Sequence, residues 1–419
     1  MYIKEVVLKN IRSFSEFRME FPNDTEAGWH VLLGDNGAGK STILKAIAMG
    51  LIGPGNVLRL NPAWESYIQK GKDAGSISIR YLREEKEDLP PEIRSKNQAY
   101  IELEIKKDDP LAQYELVPFK AKWEEGAKAS HKGKRFSCAL GPFRRFALNE
   151  PAKDNTPITP FITLFDPEVT MTSTLAYIKD QHLRSLEKDG NAHVMVEGIK
   201  SLLNEGNLLP GDLKLDKITA DGIFFKDSSN VELQLHDLSD GIKSILSLVL
   251  EMLRLMHGKY TPKDIFGSFK SQMMIPVAGV VLIDEIDAHL HPTWQTRIGQ
   301  WFTQYFPNLQ FIVTTHSPLI CRACEKGSIW RLAAPGSDQI SGLVEGEAKD
   351  KLVYGDVLDA YDTEVFGPDI TRGKEGRSKQ EEYRSLVYKE NYGVKLSQEE
   401  KKQLKHLKSI FHTHVEVDQ

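Results

Sequence analysis

The sequence predicts an α/β fold: a mixed sheet with buried parallel strands, an antiparallel β insertion lobe, a helical subdomain and a helical C-terminal tail. Three observations carry this expectation. Val277 to Ile283 and Gln310 to Thr314 are short apolar, β-branched runs, the pattern of strands buried on both faces as in a parallel sheet. Residues 28–33 (GWHVLL) read as a strand that runs straight into a glycine loop and then into a helical pattern, Thr42 to Leu51. Residues 76–123 alternate at period two (SISIRYL, AYIELEIK, YELVPFKAKW), which is the antiparallel signature.

The elements follow in order. Residues 3–9 (IKEVVLK) form a short strand, and GPGN at 53–56 ends the first helix. The alternating lobe, broken at Pro90 and Pro91, is expected beside the glycine loop. Residues 124–160, rich in Gly, Lys, Pro and Asn, read as loops. Residues 172–206 carry helical spacing at Leu175, Ile178, Leu183 and Leu186, then at Val194, Val196, Ile199 and Leu203. Residues 218–235 form a hairpin turning at Asp227–Asn230. Leu238 to His257 and Thr293 to Phe306 are helices, and GSIWRL (327–332) is one more strand. In the charged tail, Ser397 with Glu400 is a capping box before apolar Leu404, Leu407, Ile410 and Phe411. The expected division is 1–75, 76–150, 151–235, 236–340 and 341–419.

Composition sets the class. At 419 residues, 40% hydrophobic and with a net charge of -5, the chain can bury a sizeable core and is not generally basic, although a local basic groove stays open. Three cysteines do not make a disulfide framework and suggest a reducing compartment. The N-terminal sequence has no apolar run of signal-peptide length, and no stretch reaches the about 18 residues of a membrane span. The expected setting is cytoplasmic, without a membrane.

Gly34-Asp35-Asn36-Gly37-Ala38-Gly39-Lys40-Ser41 fits G-x-x-x-x-G-K-[ST] in the strand–loop–helix context the pattern requires. Glycines let successive backbone N–H groups point inward and cradle phosphates, and the following helix aims its positive end at the anion. Lys40 is expected at the β- and γ-phosphates of ATP, and Ser41 at Mg²⁺. Asp284 and Glu285 end the buried run Val280 to Ile283. Alone they read as a solvated strand end. Paired with the phosphate loop, Asp284 reads as the Mg²⁺ ligand and Glu285 as the base that polarises the attacking water. Leu238-Ser239-Asp240-Gly241 precedes a long apolar helix; on propensity alone Ser239 or Asp240 is a plain N-cap, and otherwise Ser239 and Gly241 form a second anion-binding cap. Phe311-Ile-Val-Thr-Thr-His-Ser-Pro318 ends another buried strand with His316, structural if taken alone and near the γ-phosphate if taken with the rest.

This set and its order resemble the P-loop NTPases of the ABC-ATPase type, of the SMC and RecF kind. They are more closely similar to single-chain bacterial AAA family ATPases, the Septu PtuA type and its retron-associated relatives. The motifs span residues 1–55 and 236–332. The resemblance implies ATP and Mg²⁺ as cofactors and a homodimer, or higher even oligomer, of heads packed head to tail. Gly34, Asn36, Gly37, Gly39, Lys40, Ser41 and Thr42 of one copy would bind phosphates, and Ser239 and Gly241 of the other would touch the γ-phosphate. His316 would be the switch histidine, and Arg12 matches the N-terminal arginine that contacts nucleotide. Asp240 departs from the pattern by replacing a glycine, and no obvious glutamine fills the lobe-linking segment FSCALGPFRRF (136–146), where Arg144 or Arg145 stands instead. The implied role is an antiphage defence ATPase that controls a separate HNH-type nuclease, with DNA or RNA as a further partner. A RecF-like repair ATPase that binds DNA is the alternative, and a transport subunit a more distant third.

Other residues carry less. Cys321 and Cys324, with no second pair, read as buried helical thiols and not a zinc site. His289 and His291 read as orienting the loop after Glu285 or lying at the dimer interface, and Asp287 as coupling the two sites. Lys132, Lys134, Arg135, Arg144 and Arg145 read equally as solvated loop charge or as contacts to a nucleic-acid backbone.

Overall fold

The protein is described here by a computed structural model covering residues 2–53, 56–57, 60, 64–82, 98–106, 119–123, 136–144, 146, 156, 158–169, 172–219, 222–334, 341–361, 374–392, 394 and 396–410. The Pro90–Pro91 break, the cluster at Lys132, Lys134 and Arg135, Arg145 and Phe411 lie outside the described residues. The chain divides into two compact units, 1–354 and 355–419.

In the first unit, β1 (Tyr2–Ile11) and β2 (Phe14–Glu20) form a hairpin, and β4 (Ala74–Leu82), β5 (Gln98–Lys106) and β6 (Phe119–Trp123) extend it into an antiparallel sheet of order β2-β1-β4-β5-β6. The alternating segment is therefore continuous with the N-terminal strands, with β4 paired along β1 from Tyr2–Leu82 to Lys9–Ser76. The strand β2 was not anticipated, because FSEFRME buries only Phe14, Phe17 and Met19 and leaves a charged, exposed edge.

The second sheet is the mixed one. It holds β3 (Gly28–Gly34), β7 (Phe136–Leu140), β11 (Gly279–Ile283), β12 (Leu309–Thr315), β13 (Gly327–Leu332) and β14 (Gly342–Val344) in the order β14-β13-β3-β12-β11-β7. All neighbours run parallel except β13 and β14. The strand β7 corrects the expectation of loop across 124–160: FSCAL is buried along its length against β11. Because β12 lies between β3 and β11 in parallel register, the C-terminal ends of the three strands emerge on one edge, where ligands bind in such sheets.

Helix α1 (Lys40–Ile52) buries most of its circumference, as a helix apolar on nearly all sides must. Its Ile43, Leu44 and Ile47 share one core with Val6 and Leu8 of β1, Leu282 of β11 and Ile312 of β12. Gln310 joins the two sheets directly. Fully buried, its side-chain amide donates to the Ile3 carbonyl oxygen at 2.9 Å and accepts from the Ile3 N–H at 2.7 Å, so neither polar group is orphaned.

Helices α2 (Thr172–Leu186) and α3 (Gly190–Glu205) form the expected helical subdomain. Beside them β8 (Lys214–Ile218), β9 (Ile223–Lys226) and β10 (Glu232–Gln234) make a small antiparallel sheet, and the expected Asp227–Asn230 turn joins β9 to β10. Helix α4 (Asp240–His257) follows, then α5 (Pro292–Tyr305) between β11 and β12, and α6 (Gly346–Tyr354).

In the second unit, α7 (Lys374–Asn391) and α8 (Gln398–Ile410) pack through Tyr383, Leu386, Leu404 and Leu407. The Ser397–Glu400 capping box forms, with the Glu400 N–H donating to Ser397 Oγ at 3.1 Å and the Ser397 N–H donating to the Glu400 carboxylate at 2.8 Å. Among the described residues, no helix is long and apolar enough to cross a membrane.

Candidate functional site

The glycine loop leaves β3 at Gly34 and enters α1 at Lys40. Gly37 and Gly39 sit at φ +82 and +93, where a side chain would strain the backbone. At Gly39 space is also closed: an added Cβ would lie 2.5 Å from the Phe14 ring and 3.2 Å from Ser13 Oγ. The β1–β2 turn therefore closes directly over the loop, and this brings Arg12 to its side. Arg12 is exposed, its guanidinium lies over the Tyr67 ring at 4.2 Å, and its N–H donates to the Tyr67 carbonyl oxygen at 2.8 Å. Asn36 and Gly37 are exposed at the tip, while Thr42 is buried.

The Lys40 ammonium is drawn back into the loop, donating to the Gly34 and Asp35 carbonyl oxygens at 2.7 and 3.0 Å. His316 Nε2, at the end of β12, lies 3.0 Å from it. Burial pushes the Lys40 pKa below its usual range, against the opposing pull of Asp284, Glu285, Asp287 and Asp35. Ser41 Oγ donates to Asp284 Oδ1 at 3.1 Å. The loop, the acidic strand end and the histidine, far apart in sequence, thus meet at one place.

Asp284 is buried, and its Oδ1 also accepts from Thr314 Oγ1 at 2.5 Å. The same hydroxyl accepts from the Glu285 N–H at 2.7 Å. Glu285 is held at φ +47, a left-handed conformation that L side chains adopt at a cost. Its carbonyl oxygen accepts from Arg144 Nη2 at 2.5 Å, and the Asp284 carbonyl oxygen from the same nitrogen at 3.1 Å. The Asp284 N–H donates to the Leu140 carbonyl oxygen at 2.9 Å. Burial lowers the Arg144 pKa to about 10 despite Asp284, Asp287 and Glu285 nearby. The Asp287 carboxylate accepts from the His316 N–H at 3.4 Å. Sequence reasoning missed Thr314 and the backbone grip of Arg144; their only signals are the first threonine of TTHSP and a basic pair after β7.

Ser239 and Gly241 are placed differently. Ser239 is an exposed N-cap of α4, accepting from the Ile242 N–H at 3.5 Å, and Asp240 pairs with Lys243 at 3.2 Å. A Cβ on Gly241 would lie 2.7 Å from the His289 carbonyl oxygen, so this turn packs on the loop that follows Glu285. No described hydrogen bond joins Ser239 or Gly241 to Lys40 or Ser41. His291 caps α5 through the Thr293 N–H at 3.3 Å. Cys321 and Cys324 are buried, free thiols, and among the described residues no group of three or more His, Cys, Asp or Glu is arranged to hold a metal.

A phosphate loop, an acidic strand two places along the sheet and a histidine on the strand between them define an ATPase head of the ABC type. The chain belongs to the family described as "AAA domain, putative AbiEii toxin, Type IV TA system", which residues 30–322 match; residues 1–54 also match a family described as "AAA domain". It is similar to the "Septu protein PtuA" of Bacillus mycoides (strain KBAB4), 27% identical over 335 residues, which is 78% of this chain and 40% of that protein. It is also similar to the "Retron Ec83 probable ATPase" of Escherichia coli, 41% identical over 132 residues, 30% of this chain and 22% of that one. The chain thus spans less than half the length of either relative. Its fold matches that of an SMC head solved with the C-winged helix domain of ScpA, at 17% identity and TM-score 0.51, covering 82% of this chain and 98% of that one.

Proposed function

We propose that the chain binds ATP with Mg²⁺ and hydrolyses it, in a dimer of heads packed head to tail, as the regulatory subunit of an antiphage defence complex that controls a partner nuclease of HNH type. The observation that carries the hydrolysis reading is the pairing of Ser41 Oγ with Asp284 Oδ1 at 3.1 Å while His316 Nε2 stands 3.0 Å from the Lys40 ammonium. Two hard oxygen donors at this spacing suit Mg²⁺, which takes one or two protein oxygens and completes its shell with phosphate oxygens and water. Ser41 and Asp284 would hold the ion, which neutralises phosphate charge when bound. Lys40 exchanges its two loop carbonyls for phosphate oxygens. Glu285 polarises the attacking water, and His316 stands where the γ-phosphate would be sensed.

The dimer reading rests on the exposure of Ser239 and Asp240 at the head of an 18-residue helix, free to meet a second copy. The defence role rests on the names of the relatives. Lys40→Met and Glu285→Gln separate the steps: the first should lose ATP binding, and the second should keep it and lose phosphate release. A Glu285→Gln chain that turns over ATP at the wild-type rate removes Glu285 from its role. Co-purification with a nuclease supports the defence role, whereas DNA-stimulated turnover by the isolated chain would favour a RecF-like repair ATPase.

A further inference from the structure

Arg144 uses its charge in an uncommon way. Its Nη2 donates to two peptide oxygens of the acidic strand end, Asp284 at 3.1 Å and Glu285 at 2.5 Å. Nε and Nη1 are buried with no hydrogen-bond partner among the described residues, and the residue is 5% exposed. Burying a cation with two donors unpaired is costly, and the nearby carboxylates of Asp284, Asp287 and Glu285 offset only part of that cost. What it grips is the peptide of Glu285, which is held at φ +47. Two constraints fix that residue from opposite sides: Thr314 takes its N–H at 2.7 Å, and Arg144 takes its carbonyl oxygen. A third contact, from the Asp284 N–H to the Leu140 carbonyl oxygen at 2.9 Å, ties the same peptide run to the end of β7, four residues before Arg144.

We infer that Arg144 is a positioning residue for ATP hydrolysis: it locks the left-handed backbone of Glu285 and thereby aims the Glu285 carboxylate at the water. The inference rests on the reading of Glu285 as the group that polarises water.

The test uses the full chain with Arg144→Met, which keeps bulk and removes the donors, and Arg144→Lys, which restores a charged donor. ATP affinity is read with a fluorescent ATP analogue and turnover by phosphate release. Arg144→Met should lower kcat by at least about tenfold and leave the ATP Kd within about threefold of wild type, with Arg144→Lys between Met and wild type. A Met variant with wild-type kcat overturns the inference. So does one that loses affinity, thermal stability and kcat together with no recovery in Lys, since that is the signature of a merely structural residue. If the wild-type chain binds ATP and releases no phosphate, the hydrolysis reading itself fails and takes this inference with it.

Discussion

Thr314→Val isolates the acidic strand end with almost no change of shape. Thr314 is fully buried, and its hydroxyl makes two bonds, donating to Asp284 Oδ1 at 2.5 Å and accepting from the Glu285 N–H at 2.7 Å. Valine removes both. A bond to a charged group contributes about 1.5–3 kcal/mol, and an orphaned buried N–H costs about 1–3 kcal/mol. Ser41 still donates to Asp284, so we take about 2.5–4 kcal/mol for the pair, at the low end of the sum. If about 2 kcal/mol of that is lost from the transition state, kcat falls roughly 30-fold. Steady-state phosphate release gives kcat, and equilibrium binding of an ATP analogue gives Kd, which should move far less because Lys40 and the loop amides are untouched. Thr314→Ser keeps the hydroxyl and should recover most of the loss. Thr315→Val is the control: equally buried, its hydroxyl serves the Ser317 N–H at 2.9 Å and not the acidic end. If Thr314→Val keeps kcat within about twofold of wild type, the hydroxyl does not position these groups and the argument fails.

Two further outcomes follow from the geometry. Gly39→Ala meets both a φ of +93 and an added Cβ 2.5 Å from the Phe14 ring, so the loop must open or the β1–β2 turn must lift; thermal stability and ATP affinity should both fall, and unchanged values would refute the closure over the loop. His30, fully buried on β3 between Ser328 Oγ at 2.8 Å and the Glu26 carbonyl oxygen at 3.2 Å, has its pKa lowered by burial from 6.5 to about 4. The unfolded chain therefore binds the proton first as pH falls below 6.5, and stability is lost between pH 6.5 and 4, by roughly 3 kcal/mol in all. His30→Gln should flatten the stability–pH curve in that window, as measured by denaturant unfolding; an unchanged slope would show that His30 is not buried neutral.

How much of this was legible depends on how local each signal is. Gly34 to Ser41 and Val280 to Glu285 announce themselves because loop chemistry and strand burial are written in adjacent residues. Strands β11 and β12 were readable for the same reason, as their β-branched runs need no partner to be recognised, whereas the parallel strand β7 falls in a stretch whose Gly, Lys, Pro and Asn content reads as loop. The hairpin strand β2 was not, because its apolar positions Phe14, Phe17 and Met19 are diluted by an exposed charged edge. Nor could the sequence say that residues 76–123 continue β1, since alternation specifies a face and not a neighbour. Thr314 and Arg144 act across about 30 and 140 positions through two hydrogen bonds each, which leave no periodicity to read. Ser239 remained between cap and ligand site in the sequence, and within one copy the structure shows the cap.

The proposed ATP site is completed by a second copy, and the mass of Glu285→Gln, measured by light scattering with and without ATP and Mg²⁺, checks this. ATP should double the mass of Glu285→Gln. Adding Ser239→Arg should leave nucleotide binding intact and abolish the doubling, because the arginine would stand where the partner's nucleotide must fit. If the Glu285→Gln, Ser239→Arg chain associates on ATP as well as Glu285→Gln alone, Ser239 does not face a partner's nucleotide and the composite site is wrong.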